Sequence, residues 1–305
     1  MRHLEYWIIS GKHNLYAFEK MNSYLIQLRQ LTPKYISFGM QLSTLAGWNQ
    51  TPKDWKFLIE HDPNGNFLAT YQGEPAGTIT TIPYNHHFSW IGMVLVHPDY
   101  RRKGIGKTMM KAVIDYAYPY GAIRLDATDV GRSLYLQLGF EDELTWKRWV
   151  RIPTRQSFQI HKDIVPITPG SYHAILELDK VAFGTDRQAV LMHLNDYYPD
   201  MGYVLVQEKS IMGYCLGRKG RLYHQIGPLV ARDLSTAKIL LEYWLHHWQD
   251  YPAVIDTWEI NSDWVDHLKA MGFDDKRTLY RMNLGKLEYP GQIDLQFALA
   301  GPEYG

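Results

Sequence analysis

The spacing of apolar positions changes along this chain, and the changes mark out its elements. Residues 24–30 alternate apolar and polar and predict a strand. Thr32-Pro33 then sets an N-cap before a proline at the first helical position, and Thr51-Pro52-Lys53-Asp54 repeats the signal. Two helices are therefore expected, one running toward Gly47-Trp48-Asn49 and one toward Ile59. After the turn Asp62-Pro63-Asn64-Gly65, residues 67–71 and 77–82 read as a hairpin around Gly73-Glu74. Residues 90–96 are a continuous apolar run, a buried strand that His97-Pro98-Asp99 ends because proline has no ladder donor. Ile105, Met109, Val113 and Ala117, joined by Met110 and Ile114, form one stripe of an amphipathic helix. Residues 122–127 predict a further strand and 131–138 a last helix stopped by Gly139. Strands joined through helices in this order call for a mixed α/β sheet.

The pattern then recurs. Ile91-Gly92 opens one apolar run and Ile226-Gly227 another; Gly139-Phe140 follows the first as Gly272-Phe273 follows the second. Upstream, Glu74-Pro75-Ala76-Gly77 and Ser210-Ile211-Met212-Gly213 hold the same place between strand-like runs. Three landmarks at nearly constant offset indicate two copies of one α/β unit, and 305 residues suit two domains. The expected division is an extension over 1–22, a first unit over 23–150, a join over 151–162 containing Pro153, and a second unit over 163–305. The extension has no counterpart in the second copy, and Met21 is an alternative start.

Composition narrows the function. Hydrophobic residues make up 46% and charged residues 21%, with Lys+Arg and Asp+Glu both at 32. No overall field draws the chain to nucleic acid or to an anionic membrane. A single cysteine, Cys215, excludes an intrachain disulfide and a Cys-rich zinc site. The adjacent rings of His246 and His247 cannot share one metal well, so no metal site is expected. No run reaches the ~18 apolar residues of a membrane span, and the opening residues lack the core of a signal peptide. A soluble, cytoplasmic protein is expected.

Chemistry concentrates between residues 90 and 107. A buried strand runs into a turn containing Gly104 and Gly106, and an amphipathic helix follows at once. Main-chain N–H groups at a helix start lack intrahelical partners and sit at the positive end of the dipole. The two glycines clear side chains from the approach of a bulky anion, and Arg101, Arg102 and Lys103 add opposite charge. This is a phosphate or pyrophosphate cradle. It is not a nucleotide-triphosphate P-loop: Gly106-Lys107-Thr108 matches the end of that motif, but position 101 is arginine where the motif needs glycine.

Arg101-x-x-Gly104-x-Gly106 resembles the Q/R-x-x-G-x-G/A motif of the GNAT superfamily, acyltransferases that use acetyl-CoA. Val94-Leu95-Val96 resembles the family's fourth strand, and Leu134-Tyr135-Leu136-Gln137-Leu138-Gly139-Phe140 its Y-x-x-x-G-F ending. In the second copy Ile226-Gly227-Pro228-Leu229-Val230-Ala231 and Ala270-Met271-Gly272-Phe273 resemble the same strand and ending. The loop between them, residues 231–237, has neither glycine. The chain is thus similar to tandem GNAT proteins with one working and one degenerate half: two units, each a mixed twisted sheet flanked by helices.

The resemblance implies specific roles. Main-chain amides of Arg101, Arg102, Lys103, Gly104, Ile105 and Gly106 would hold the CoA pyrophosphate. Val94, Leu95 and Val96 would pair with the pantetheine arm, and one of their N–H groups would polarise the thioester carbonyl. Tyr135 falls at the family's general acid, and Thr128 where the family often keeps a pantetheine-binding asparagine. The fourth strand carries no acid, so Asp126, Asp129 and the pair His86-His87 compete with a plain water chain for the role of base. Trp48, Tyr84 and Trp90 are candidate acceptor contacts. The implied activity moves an acetyl group from acetyl-CoA, as cosubstrate and without a metal, to a primary amine by direct attack in a ternary complex. The acceptor would be a small molecule, and the second half a scaffold or a homodimer surface. The alternative is a non-catalytic acyl-CoA-binding sensor.

Overall fold

The computed structural model describes residues 25–158 and 160–305, so the expected extension over 1–22 and residue 24 of the first strand lie outside it. The first half runs β1 (Ile26–Gln30), α1 (Ile36–Leu45), α2 (Pro52–His61), β2 (Phe67–Tyr71), β3 (Glu74–Tyr84) and β4 (Phe88–Val96). It continues through α3 (Ile105–Ala117), β5 (Ala122–Ala127), α4 (Asp129–Gln137) and β6 (Glu141–Arg151). Local chemistry accounts for the helix starts. Thr51 and Asp54 close a capping box around Pro52. Thr128 caps α4, which therefore begins two residues before the position expected from Gly131. The apolar stripe of α3 is buried as its period requires, with Met109, Met110, Val113 and Ala117 fully enclosed against Ile91, Ile123 and Leu125.

The second half repeats the order: β7 (Ile164–Pro166), α5 (Tyr172–Phe183), α6 (Gln188–Tyr197), β8 (Tyr203–Gln207), β9 (Ser210–Lys219) and β10 (His224–Ala231). Then come α7 (Leu234–Trp248), β11 (Ala253–Trp258), α8 (Ser262–Ala270), β12 (Phe273–Leu284) and a short closing strand, β13 (Gln296–Ala298). The internal repeat read from three landmarks thus extends from β1 and β7 through to β6 and β12, element by element.

The repeat hides an exchange. Among the described residues all thirteen strands form one sheet, in the order β1-β2-β3-β4-β5-β12-β6-β11-β10-β9-β8-β7, with β13 on β10. β12 of the second half lies between β5 and β6 of the first, and β6 lies between β12 and β11 of the second. Each half therefore completes its neighbour's sheet. Both exchanged strands bring an arginine to a buried carboxylate across the join. Arg281 on β12 grips Asp126 on β5 at 2.9 and 3.0 Å. Arg148 on β6 grips Asp256 on β11 at 2.7 and 2.6 Å. On one face, α1 and α2 meet α5 and α6 over a shared core that includes Trp55, Leu58, Trp90, Phe183 and Tyr214. α3 and α7 cover separate cores on the other face.

Candidate functional site

β4 pairs with β3 over most of its length but parallel to β5 only from Phe88 to Ile91. At Gly92 and Met93 the register with β3 shifts and Met93 takes a left-handed φ of 51°, a bulge that bends the strand. Beyond it β4 and β5 part. Among the described residues, the edges of Val94, Leu95 and Val96 that face β5 have no strand partner, and Val94 and Val96 are half-buried. An extended ligand entering this split would meet main-chain donors and acceptors as another strand would.

The split opens onto the glycine loop. Arg102 and Gly104 both adopt left-handed φ, 59° and 85°, which turns successive N–H groups toward one point. The first helical bond of α3 runs from Thr108 N to Gly104 O, so the amides of residues 105–107 are free of the helix ladder. The Arg101 amide is not part of this set, because it donates to Pro98 O at 3.2 Å. That corrects the expected span of the cradle at its first residue. The Arg101 side chain instead donates from Nε to Val96 O at 3.4 Å, tying the loop to the strand end. Lys103 lies over the Tyr71 ring at 5.1 Å, and Ile105 anchors the loop in the core. A Cβ on Gly106 would lie 3.5 Å from Leu134 and 3.9 Å from Val96, so this glycine lines the gap between α3, α4 and β4. The donor set, the open Gly104 and the flanking cations fit a diphosphate.

α4 closes the other wall. Thr128 Oγ1 accepts from Gly131 N at 3.3 Å, which leaves its O–H proton free to donate. Tyr135 is buried in one cluster with Val94, Val96, Ile105 and Leu134. Its hydroxyl lies over the first turn of α4, 3.3 Å from where a Cβ on Gly131 would stand. Burial raises the Tyr135 pKa, so the phenol holds its proton at neutral pH. The structure thus gathers Val94, Leu95, Val96, the 102–106 loop, Thr128 and Tyr135 around one split.

The base candidates fare differently. Asp126 is sealed against Arg281, whose guanidinium is stacked between Trp90 and Trp258 at 4.5 and 4.7 Å. Asp129 is exposed at the start of α4. His86 and His87 sit in the β3–β4 turn, where His87 Nδ1 meets Thr185 Oγ1 at 2.8 Å. From there the bulge lies about 20 Å away along the strand, beyond reach of one water. Trp48 faces the second half, its carbonyl accepting from Arg221 at 3.0 and 3.2 Å, and Asn49 bonds the amides of Leu222 and Tyr223. Tyr84 and Trp90 are both buried and bonded to Tyr304 O and Pro302 O, at 2.6 and 2.8 Å. Residues 299–305, which carry no motif, thus cover the face of β4 opposite α3, and no sequence signal marked them.

Among the described residues the second half has no equivalent site. Its split between β10 and β11 is taken by β13, paired to Leu229 and Val230. At the start of α7 the Asp233 carboxylate already accepts from Thr236 N at 2.7 Å, where an anion would bind.

A bulged strand parting from its neighbour above an amide nest at a helix start matches the mixed α/β architecture that the GNAT resemblance implies. Family models agree: one described as "Acetyltransferase (GNAT) family" matches residues 33–140, and one described as "Acetyltransferase (GNAT) domain" matches 175–298. The chain belongs to the GNAT family of acyltransferases, in tandem form. It is 26% identical over 255 residues to the uncharacterized N-acetyltransferase YitH of Bacillus subtilis, covering 81% of this chain and 87% of that protein. It is 23% identical over 259 residues to the holothin acyltransferase of a Pseudoalteromonas species, covering 85% and 87%. A putative acetyltransferase from Pyrococcus horikoshii shares the fold with a TM-score of 0.77 and 24% identity over 92% of this chain and 96% of its own. A tandem GNAT protein from the clavulanic acid biosynthesis pathway does so with a TM-score of 0.62 and 13% identity, covering 85% and 98%.

Proposed function

We propose that this chain is an N-acetyltransferase that moves an acetyl group from acetyl-CoA to a small primary amine by direct attack in a ternary complex. The observation that carries the reading is the parting of β4 from β5 directly above the amide nest of residues 102–106. The nest receives the pyrophosphate. The free edges of Val94, Leu95 and Val96 pair with the pantetheine arm, and Thr128 donates its hydroxyl proton to it. One main-chain N–H beside the bulge donates to the thioester carbonyl oxygen, where negative charge grows as the amine adds. Holding amine and thioester in line supplies much of the acceleration. Tyr135, kept protonated by burial, gives its proton to the departing thiolate.

Calorimetric titration of acetyl-CoA into the wild type and into an Arg101→Ala/Gly104→Ala/Gly106→Ala variant tests the donor site. Saturable binding by the first and none by the folded second is expected. A folded wild type that binds no acetyl-CoA overturns the reading. Tyr135→Phe is expected to keep that affinity and lose about 100-fold in thiol release.

A further inference from the structure

Among the described residues the first half offers no free acid of its own beside the bulge: β4 carries none, and Asp126 is bound to Arg281 through both carboxylate oxygens. An acidic residue, Glu303, nevertheless comes to this spot from the far end of the chain, its backbone packed over Gly92. β13 is held in the split of the second half, and Leu299 N continues the pairing onto Asp256 O at 2.8 Å. From there the segment crosses to β4. Ala300 O accepts from Arg218 Nη1 at 2.8 Å, Pro302 O from Trp90, and Tyr304 O from Tyr84. Glu303 rides over the bulge itself. A Cβ on Gly92 would stand 3.2 Å from Glu303 Cα and 3.3 Å from its carbonyl oxygen, so glycine lets the segment pack closely there.

We propose, on the reading that this is an amine acetyltransferase, that Glu303 is the base that takes the proton of the acceptor ammonium beside the β4 bulge. The degenerate half then contributes to the reaction, because its groove grips β13 and so positions Glu303. The carboxylate is set for this exchange. Its Oε1 pairs with Arg218 Nη2 and its Oε2 accepts from Gln50 Nε2 at 2.9 Å, so it is aimed by two donors. Arg218 is shared with Asp54, 3.6 Å from its Nε, and therefore neutralises Glu303 only in part. Tyr304 O–H donates to Asp54 at 3.0 Å; Arg277 on β12 faces the cluster, while Arg148 on β6 is matched by Asp256. Burial, with Asp54 adding to it, raises the Glu303 pKa against the pull of Arg218, bringing it closer to neutrality.

The protons balance. An N–H bond of the ammonium breaks and an O–H bond forms on Glu303. The freed lone pair makes the N–C bond to the acetyl carbonyl, and the C–S bond breaks with its electrons on sulfur. The thiolate takes the Tyr135 proton, the second proton leaving nitrogen returns to Tyr135, and Glu303 gives its own to solvent. One amide, one thiol and one proton result.

The test compares two small amines in thiol release from acetyl-CoA near neutral pH. Methylamine is almost wholly protonated there and needs a base; hydroxylamine is mostly neutral and does not. Glu303→Gln is expected to lose about 100-fold or more with methylamine. It should keep hydroxylamine turnover within about threefold, with acetyl-CoA affinity by calorimetry close to wild type and a cooperative thermal transition showing that it is folded. The wild-type kcat/KM for methylamine should rise and level off as Glu303 ionises, whereas the variant's should keep climbing with the fraction of free amine. Should the variant not fold, Glu303→Asp, which keeps the charge opposite Arg218, is read for the same split between amines. Equal losses with both amines, an unchanged pH limb, or retained methylamine turnover would overturn the assignment. So would a wild type that binds acetyl-CoA yet leaves methylamine unacetylated, whereas a wild type that binds none removes the donor reading instead.

Discussion

Single residues tune this protein through burial. His193 is stacked on Phe57 with ring centroids 4.1 Å apart, and His224 on Tyr251 at 4.5 Å. Burial pushes both imidazoles down from 6.5 to about 4, so they stay neutral in the folded chain. The unfolded chain binds their protons first, at its ordinary value near 6.5. Stability from these groups is therefore complete above 6.5 and falls as the pH drops toward about 4. Urea midpoints should decline across that window, and His193→Phe, which keeps the stack but cannot protonate, should flatten the decline. A variant whose midpoint falls as steeply as the wild type's would show that His193 is not a source of the acid loss. Gly104 belongs to the same scale: at φ 85° with open space around it, Gly104→Ala meets no neighbour and pays only for the left-handed backbone. About 1 kcal/mol of stability should go, read as a shift in the urea midpoint.

At the scale of elements the exchanged strands decide the architecture. Arg148 and Asp256 are both buried, and removing the arginine alone strands a carboxylate without exposure to water. Arg148→Met should cost about 3–5 kcal/mol, and adding Asp256→Leu should recover most of it, since two apolar groups need no partner. If the double variant is as unstable as the single one, the pair is not what holds β6 in place. The exchange also marks where the sequence stops being legible. Periodicity and caps located α1 to α4 and β2 to β5 to within a few residues, and the glycine turn that opens α3 was legible as well, because these depend on neighbours in the chain. β6 and β12 went unread after Gly139 and Gly272. Their side chains, such as Glu141, Asp142, Lys147 and Arg148, are charged, and only partners from the other half make such residues a strand. The acceptor side was hidden for the same reason: Glu303 gains meaning solely from Gly92, Gln50 and Arg218, which lie far away in sequence.

For the whole molecule, the continuous sheet and the occupied second groove constrain ligand stoichiometry. Among the described residues the two splits are built alike, each beside a bulged strand, but only the first is open. To accept a pantetheine arm, the second would have to release β13, exposing Phe297 and Ala298 and breaking the bonds of Thr257 and Trp264 to Phe297 O at 2.7 and 2.9 Å. A pyrophosphate would then meet the Asp233 carboxylate already seated on α7, so like charges would oppose each other at the point where donors should converge. Neither cost is offset by a glycine loop. One acetyl-CoA per chain is therefore expected in a calorimetric titration run well past saturation, with the full heat removed by the Arg101→Ala/Gly104→Ala/Gly106→Ala change in the first half. Because each half supplies a strand to the other, the same protein should also unfold in one transition with equal calorimetric and van't Hoff enthalpies. Two binding equivalents would mean that β13 leaves its groove at little cost, and Glu303 would then lose the anchor that sets it over Gly92.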